Sequence, residues 1–171
     1  MSEKKQVPPP RSLLVTAADR ERLEQEHPEG FRHPWNPRSE IHGCMLGRQV
    51  GLERLGVSLM RVPAGKESFI YHRHNVEEEF AFIVSGRGVV EIGEETFDLG
   101  PGDFVGFPPR THAHHIRNTG SEDLVYLCGG ESAPTEIGDF PREGKRMVKI
   151  GQDVTVYPLA GEPFSGGRGR D

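Results

Sequence analysis

Five of the eight histidines fall between His72 and His115, and they come in two groups. The first lies in "FIYHRHNVEEEFAFIVSG", where His72 and His74 stand two apart and Glu77, Glu78 and Glu79 precede an apolar run. In an extended strand, residues two apart point to one face, so His72 and His74 aim their imidazoles into one space. The second group, "THAHHIRN", puts His112 and His114 on a shared face and turns His115 to the other side. Imidazole with carboxylate is a donor set for zinc, iron, manganese or nickel. On residue type alone, the choice stays open among the three glutamates and between His112 and His114.

Strands must carry these side chains. From Ile41 onward, short apolar or alternating runs recur between Gly, Pro and Asp: "GLERLGVSLMRV", "SFIYHRH", "EFAFIVSG", "GVVEIG", "ETFDLG", "DFVGFP", "HHIRN" and "LVYLCGG". Runs of this length at such spacing predict an all-β sandwich or barrel. "FAFIVSG" is so apolar that both its faces are expected to be covered, the outer one by the N-terminal arm or by a second subunit. Ile70, Ala81, Ile83 and Ile116 share strand faces with the candidate ligands and are expected to wall a pocket. "GKRMVKI" predicts one more strand.

Outside the barrel the texture differs. Residues 1–11 are charged and proline-rich and read as disordered. Thr16, with Asp19 three residues on, caps a predicted helix. "EHPEGFRHPWNPRSE" holds three prolines and reads as an irregular arm anchored by Phe31 and Trp35. The end, "GEPFSGGRGRD", is a glycine-rich tail. The expected division is an arm over residues 1–40, a barrel over 41–150 and a tail over 151–171.

The two histidine groups sit in motifs that resemble those of the cupin superfamily. In the first motif His74, Glu79 and Gly86 keep the family spacing, with four residues between His74 and Glu79 and six between Glu79 and Gly86. Gly65 stands one residue further from His72 than the pattern asks. In the second, Gly102 and Pro108 fit and His114 stands four positions before Asn118. Arg110 occupies the motif's glycine position, and one extra residue separates Pro108 from the histidine. The resemblance covers roughly residues 55–130, with a fifteen-residue stretch between Gly86 and Gly102 that holds one hairpin.

That resemblance implies a double-stranded β-helix, the jelly-roll barrel, with one divalent ion held by His72, His74, Glu79 and His114. It favours Glu79 over Glu78 and His114 over His112, which remain the fallback ligands. Three imidazoles and one carboxylate leave coordination positions for water or substrate, as catalytic sites do. The implied function is action on a small polar metabolite, an organic acid or sugar-like compound, by a metal-dependent dioxygenase, isomerase, epimerase or decarboxylase. The alternative is a non-catalytic module that captures or senses a small ligand, with the metal as anchor. Arg110 and His112 are the candidate catalytic residues, placed to meet a carboxylate or phosphate at the mouth. Tyr71 is expected to pack, and His27, His33 and His42 are given no role.

Composition narrows the partners. With 21 basic against 26 acidic residues the net charge is −5, and no basic stripe occurs, which argues against nucleic acid and anionic membrane. No stretch approaches the roughly 18 apolar residues of a membrane span, and the N-terminus has no apolar leader segment. Cys44 and Cys128 lie far apart and read as packed thiols of a reducing compartment. A cytoplasmic homodimer is the expectation.

Overall fold

The computed structural model describes residues 7–160 and turns the apolar runs into strands. A 3₁₀ turn (Pro10–Leu13) leads into α1 (Ala17–Glu26). Thr16 accepts the Asp19 N–H and the Asp19 carboxylate accepts the Thr16 N–H, which completes the predicted cap. There follow β1 (His42–Cys44), α2 (Leu46–Gln49), β2 (Leu55–Val62), β3 (Arg73–His74) and β4 (Glu79–Ser85). Next come β5 (Gly88–Ile92), β6 (Glu95–Leu99), β7 (Phe104–Phe107), β8 (His114–Arg117) and β9 (Leu124–Glu131). The chain closes with β10 (Thr135–Phe140), β11 (Lys145–Ile150) and β12 (Asp153–Pro158).

All strand pairs are antiparallel. A five-stranded sheet, β1-β2-β9-β4-β7, lies against a three-stranded one, β6-β5-β8, and β12-β11-β10-β3 forms a third. This is the jelly-roll barrel. Its core holds Ile41, Val62, Ile83, Val90, Leu124 and Tyr126. Ile83 and Leu124 are fully buried, each a contribution of about 1.5–3 kcal/mol. Gly86 turns the chain out of β4 at φ +82°, and a Cβ there would lie 2.2 Å from the Asp123 carbonyl, so no other residue fits.

Of the two covers expected for the outer face of β4, the structure does not show the arm there. Ala81 and Ile83 point inward, but Phe82 and Val84 are 40% and 49% exposed, and Phe104 on neighbouring β7 is 67% exposed. The described part of the arm does not cover them. It is drawn to the other side by polar contacts with Glu67. Asn36 Nδ2 donates to that carboxylate at 3.0 Å, Arg38 pairs with it at 2.7 Å, and the backbones of Arg38, Glu40 and Glu67 are hydrogen-bonded. The two predicted anchors then settle there: Phe31 packs on Phe69 at 5.1 Å and Trp35 on Phe140 at 5.4 Å.

The stretch from residue 151, read from sequence as a tail, contributes β12, which pairs with β11 along its whole length. The glycine-rich end at 161–171 and the first six residues of the charged start lie outside the described residues. Among the described residues no helix is long and apolar enough to cross a membrane.

Candidate metal centre

β3 is only two residues long, and an ion pair to a buried carboxylate adds to its backbone pairing with β10. Arg73 points away from His72 and His74 and meets Asp139 of β10 at 2.6 Å. Asp139 is wholly buried and also takes two contacts from Arg146 of β11, at 2.6 and 3.1 Å. Burial works to raise the Asp139 carboxyl, but the hydrogen bonds from Arg146 and Arg73 prevail and hold it at about 2. With Arg73 fixed on one side, His74 is presented on the other.

His72 and His114 face each other across an antiparallel bridge and exchange both backbone hydrogen bonds, at 3.0 and 2.7 Å. Their rings stand 4.5 Å apart. Glu79 opens β4 and reaches the same point: its Oε2 lies 3.0 Å from His74 Nε2, 3.2 Å from His114 Nε2 and 3.7 Å from His72 Nε2. The donor atoms of His72, His74, Glu79 and His114 all lie within 4.8 Å of one another. Neighbouring donors about 3 Å apart suit a common centre at roughly 2.0–2.2 Å from each. His72 Nδ1 is 2.7 Å from the Ile70 carbonyl, so it carries the proton and leaves the Nε2 lone pair facing inward.

Electrostatics favour a cation here. Burial opposes the Glu79 charge, but hydrogen bonds to His114, His72 and His74 hold its carboxyl well below the usual range. Burial lowers the His114 imidazole to about 4, so it is neutral at physiological pH, the form in which an imidazole can bind a metal. For His74 burial also acts to lower, yet the bond to Glu79 and the charges of Glu79, Glu136 and Glu77 raise it overall. A lone carboxylate among three imidazoles thus attracts either a proton or a metal ion. The residues fit a divalent ion.

The structure brings together the four residues that the motif spacing picks out. Glu77 turns to Lys149 at 2.7 Å, and His112 is exposed with its ring against the Gly93 turn. The Glu78 backbone pairs with Glu131 across the sheet, and its side chain is not in the cluster. Arg110 is exposed at φ +60°, and its N–H donates to the His74 carbonyl at 2.8 Å. Tyr71 packs: its hydroxyl donates to the Gly93 carbonyl and Arg142 lies 4.1 Å over its ring. The apolar neighbours Ile70, Ala81, Ile83 and Ile116 are all buried.

Other residues near the site had no readable motif. Phe107 stacks on His114 at 3.6 Å and 7°, and Phe140 lies 6.4 Å from His72. His33, from the arm, packs on the same Phe140 at 6.2 Å. Burial, with His72 and Lys145 nearby, lowers the His33 imidazole. A cavity of about 30 Å³ lies beside the ligands and is walled in part by Tyr126 and Cys128. Burial holds the protons of both, raising Tyr126 well above its usual value and pushing Cys128 up to about 12.

The family profile described as "Cupin domain" matches residues 58–130, which run from within β2 into β9 and include all four clustered residues. The chain belongs to the cupin superfamily. Its structure resembles the crystal structure of a provisionally designated sugar phosphate isomerase of Acidithiobacillus ferrooxidans, with 34% identity and a TM-score of 0.80. That match covers 87% of this chain and 94% of the other. A sugar phosphate isomerase of Silicibacter pomeroyi, also a cupin, matches at 22% identity and a TM-score of 0.71, over 80% of this chain and 88% of its own. At that identity the likeness speaks to fold alone. Among curated proteins, an uncharacterized protein of Methanocaldococcus jannaschii is 37% identical over 67 residues, 39% of this chain and 52% of that protein. This cupin thus spans about half the length of that relative.

Proposed function

We propose that this cupin is a metal-dependent isomerase of a small phosphorylated sugar, with His72, His74, Glu79 and His114 holding one divalent ion. Support comes from one conjunction: the four donors converge in a chain that matches 94% of the Acidithiobacillus protein. Sugar isomerisation moves a proton between neighbouring carbons and needs no external oxidant or reductant. A divalent ion in this site, whether zinc, iron, manganese or nickel, supplies Lewis acidity to a carbonyl or hydroxyl oxygen.

The chain's own residues do the rest. Glu79 holds its negative charge among the three imidazoles, where it would anchor the ion, and the buried Ile70, Ala81 and Phe107 would limit water beside it. Tyr126 and Cys128 stay protonated and act as cavity wall, not as nucleophiles. Arg110, on the loop tied to His74, offers a guanidinium to the substrate phosphate. We assign no chemical step to His112. The exposed apolar face around Phe82, Val84 and Phe104 is taken as the contact between two copies in a homodimer.

The test is proton exchange. Aldose and ketose phosphates are incubated with the metal-loaded protein in deuterated water and followed by NMR. Deuterium entering the carbon next to the carbonyl, and its loss with chelator, supports the proposal. Tight binding of the sugar phosphates without exchange would make the chain a ligand-binding module with the metal as anchor.

A further inference from the structure

Glu136 of β10 is 1% exposed, which makes it one of the most deeply buried charged side chains of the barrel. Both carboxylate oxygens are used. Oε1 accepts the Asn75 N–H at 2.9 Å and Oε2 accepts the Glu77 N–H at 2.7 Å. Asn75 and Glu77 belong to the four-residue link between His74 and Glu79, so one side chain of β10 clasps the segment that separates two of the clustered donors. Asn75 reinforces the clasp by donating its Nδ2 to the Ile137 carbonyl at 2.8 Å. The same Glu136 Oε1 lies 3.5 Å from His74 Nδ1, a buried nitrogen that makes no hydrogen bond and has this carboxylate as its charged neighbour.

We infer that Glu136 is a positioning residue of the metal centre: it sets the His74 tautomer and fixes the spacing between His74 and Glu79. The inference rests on the metal reading of the four-residue cluster. A carboxylate on the outer nitrogen of an imidazole keeps the proton there and turns the inner lone pair toward the ion. Burying a carboxylate is costly unless donors meet it, and here two backbone amides do so, with the His74 imidazole close by. His74, Glu77 and Glu136 also lie close enough to suggest a second cation site. Their oxygens are already committed, however. Glu77 Oε1 meets Lys149 Nζ at 2.7 Å and the Ala133 N–H at 2.8 Å, so an ammonium supplies the positive charge there.

The experiment measures Zn²⁺ and Co²⁺ affinity of the full chain by chelator competition, with Co²⁺ absorption bands as a report on geometry. Four proteins are compared: wild type, His114→Ala, Glu136→Gln and Leu124→Ala. Wild type is expected to bind one ion and His114→Ala none. Glu136→Gln is expected to stay folded, bind about 10–100-fold more weakly and shift the Co²⁺ bands. Leu124→Ala opens a cavity in the core away from His74; it lowers the melting temperature and leaves affinity and bands unchanged. Wild-type affinity in Glu136→Gln overturns the inference, as does an equal loss in Leu124→Ala, which would make the effect one of general stability. Two ions per chain, one of them lost in Glu136→Gln, would overturn it in favour of a second site. Should Glu136→Gln not fold, Glu136→Asp keeps the charge but withdraws it by one methylene, and the same loss is expected in smaller measure. A wild type that binds no ion refutes the metal reading itself, and the inference with it.

Discussion

The N–H of Arg110 donates to the carbonyl of His74 at 2.8 Å while Arg110 holds a left-handed backbone at φ +60°, among the described residues the one non-glycine at positive φ. Such a conformation costs a residue with a Cβ about 1–3 kcal/mol. The loop therefore keeps a strained arginine beside a clustered histidine where glycine would be relaxed. Arg110→Gly is expected to stabilise the fold by about 1 kcal/mol, raising the melting temperature by roughly 2–4 °C. Activity on a phosphorylated sugar is expected to fall in the same variant, and in Arg110→Ala. Calorimetry and kcat/KM measured on both variants check it.

Metal content separates the two histidines of the second motif. His114→Ala is expected to strip the ion, whereas His112→Ala leaves it, because His112 sits against Gly93 and outside the cluster. Elemental analysis of the two variants side by side decides this. His72→Ala with His74→Ala is expected to lose metal and remain folded by circular dichroism, since the core rests on apolar strands.

Acid sensitivity is expected to trace to Asp139. Its folded value of about 2 lies below the ordinary 3.8, so its stabilising effect is full above the unfolded value and fades as pH falls from about 4 toward 2. The difference is worth about 2 kcal/mol. Asp139→Asn is expected to destabilise the fold at neutral pH, with the gap to wild type narrowing across that acid window. Urea melts of both proteins between pH 7 and pH 2.5 measure it.

The outer face of the five-stranded sheet gives a prediction about assembly. Phe104→Glu places a charge where an exposed phenylalanine now stands beside Phe80 at 5.7 Å. If this face joins two copies as proposed, the variant is expected to remain folded and run as a monomer by light scattering where wild type runs as a dimer. An unchanged dimer would locate the contact elsewhere.

Of the four clustered residues, His72 and His74 share a face by two-residue alternation, whereas Glu79 and His114 stand out from their neighbours only through the resemblance to the cupin motifs. The supports were not legible. "TEIGDF", the source of β10, is interrupted by Gly138 and carries two acids, so it does not read as a strand. Those acids are buried because partners about 60 positions away in sequence meet them: Arg73 for Asp139, and the amides of Asn75 and Glu77 for Glu136. Which of the two expected covers lies on "FAFIVSG" was not legible for a similar reason. Its hydrophobicity tells that something suits its outer face, but the polar grip of Glu67 on Asn36 and Arg38 decides where the arm goes.

The parallel stack of Phe107 on His114 bears on how an ion enters. A ring clamped at van der Waals distance and tied by its backbone to His72 has few rotamers left to lose. Its ordering entropy is spent when the barrel folds, so little of the binding free energy goes into arranging this ligand. On the metal reading proposed above, loaded and empty proteins are then expected to share nearly one shape around His114.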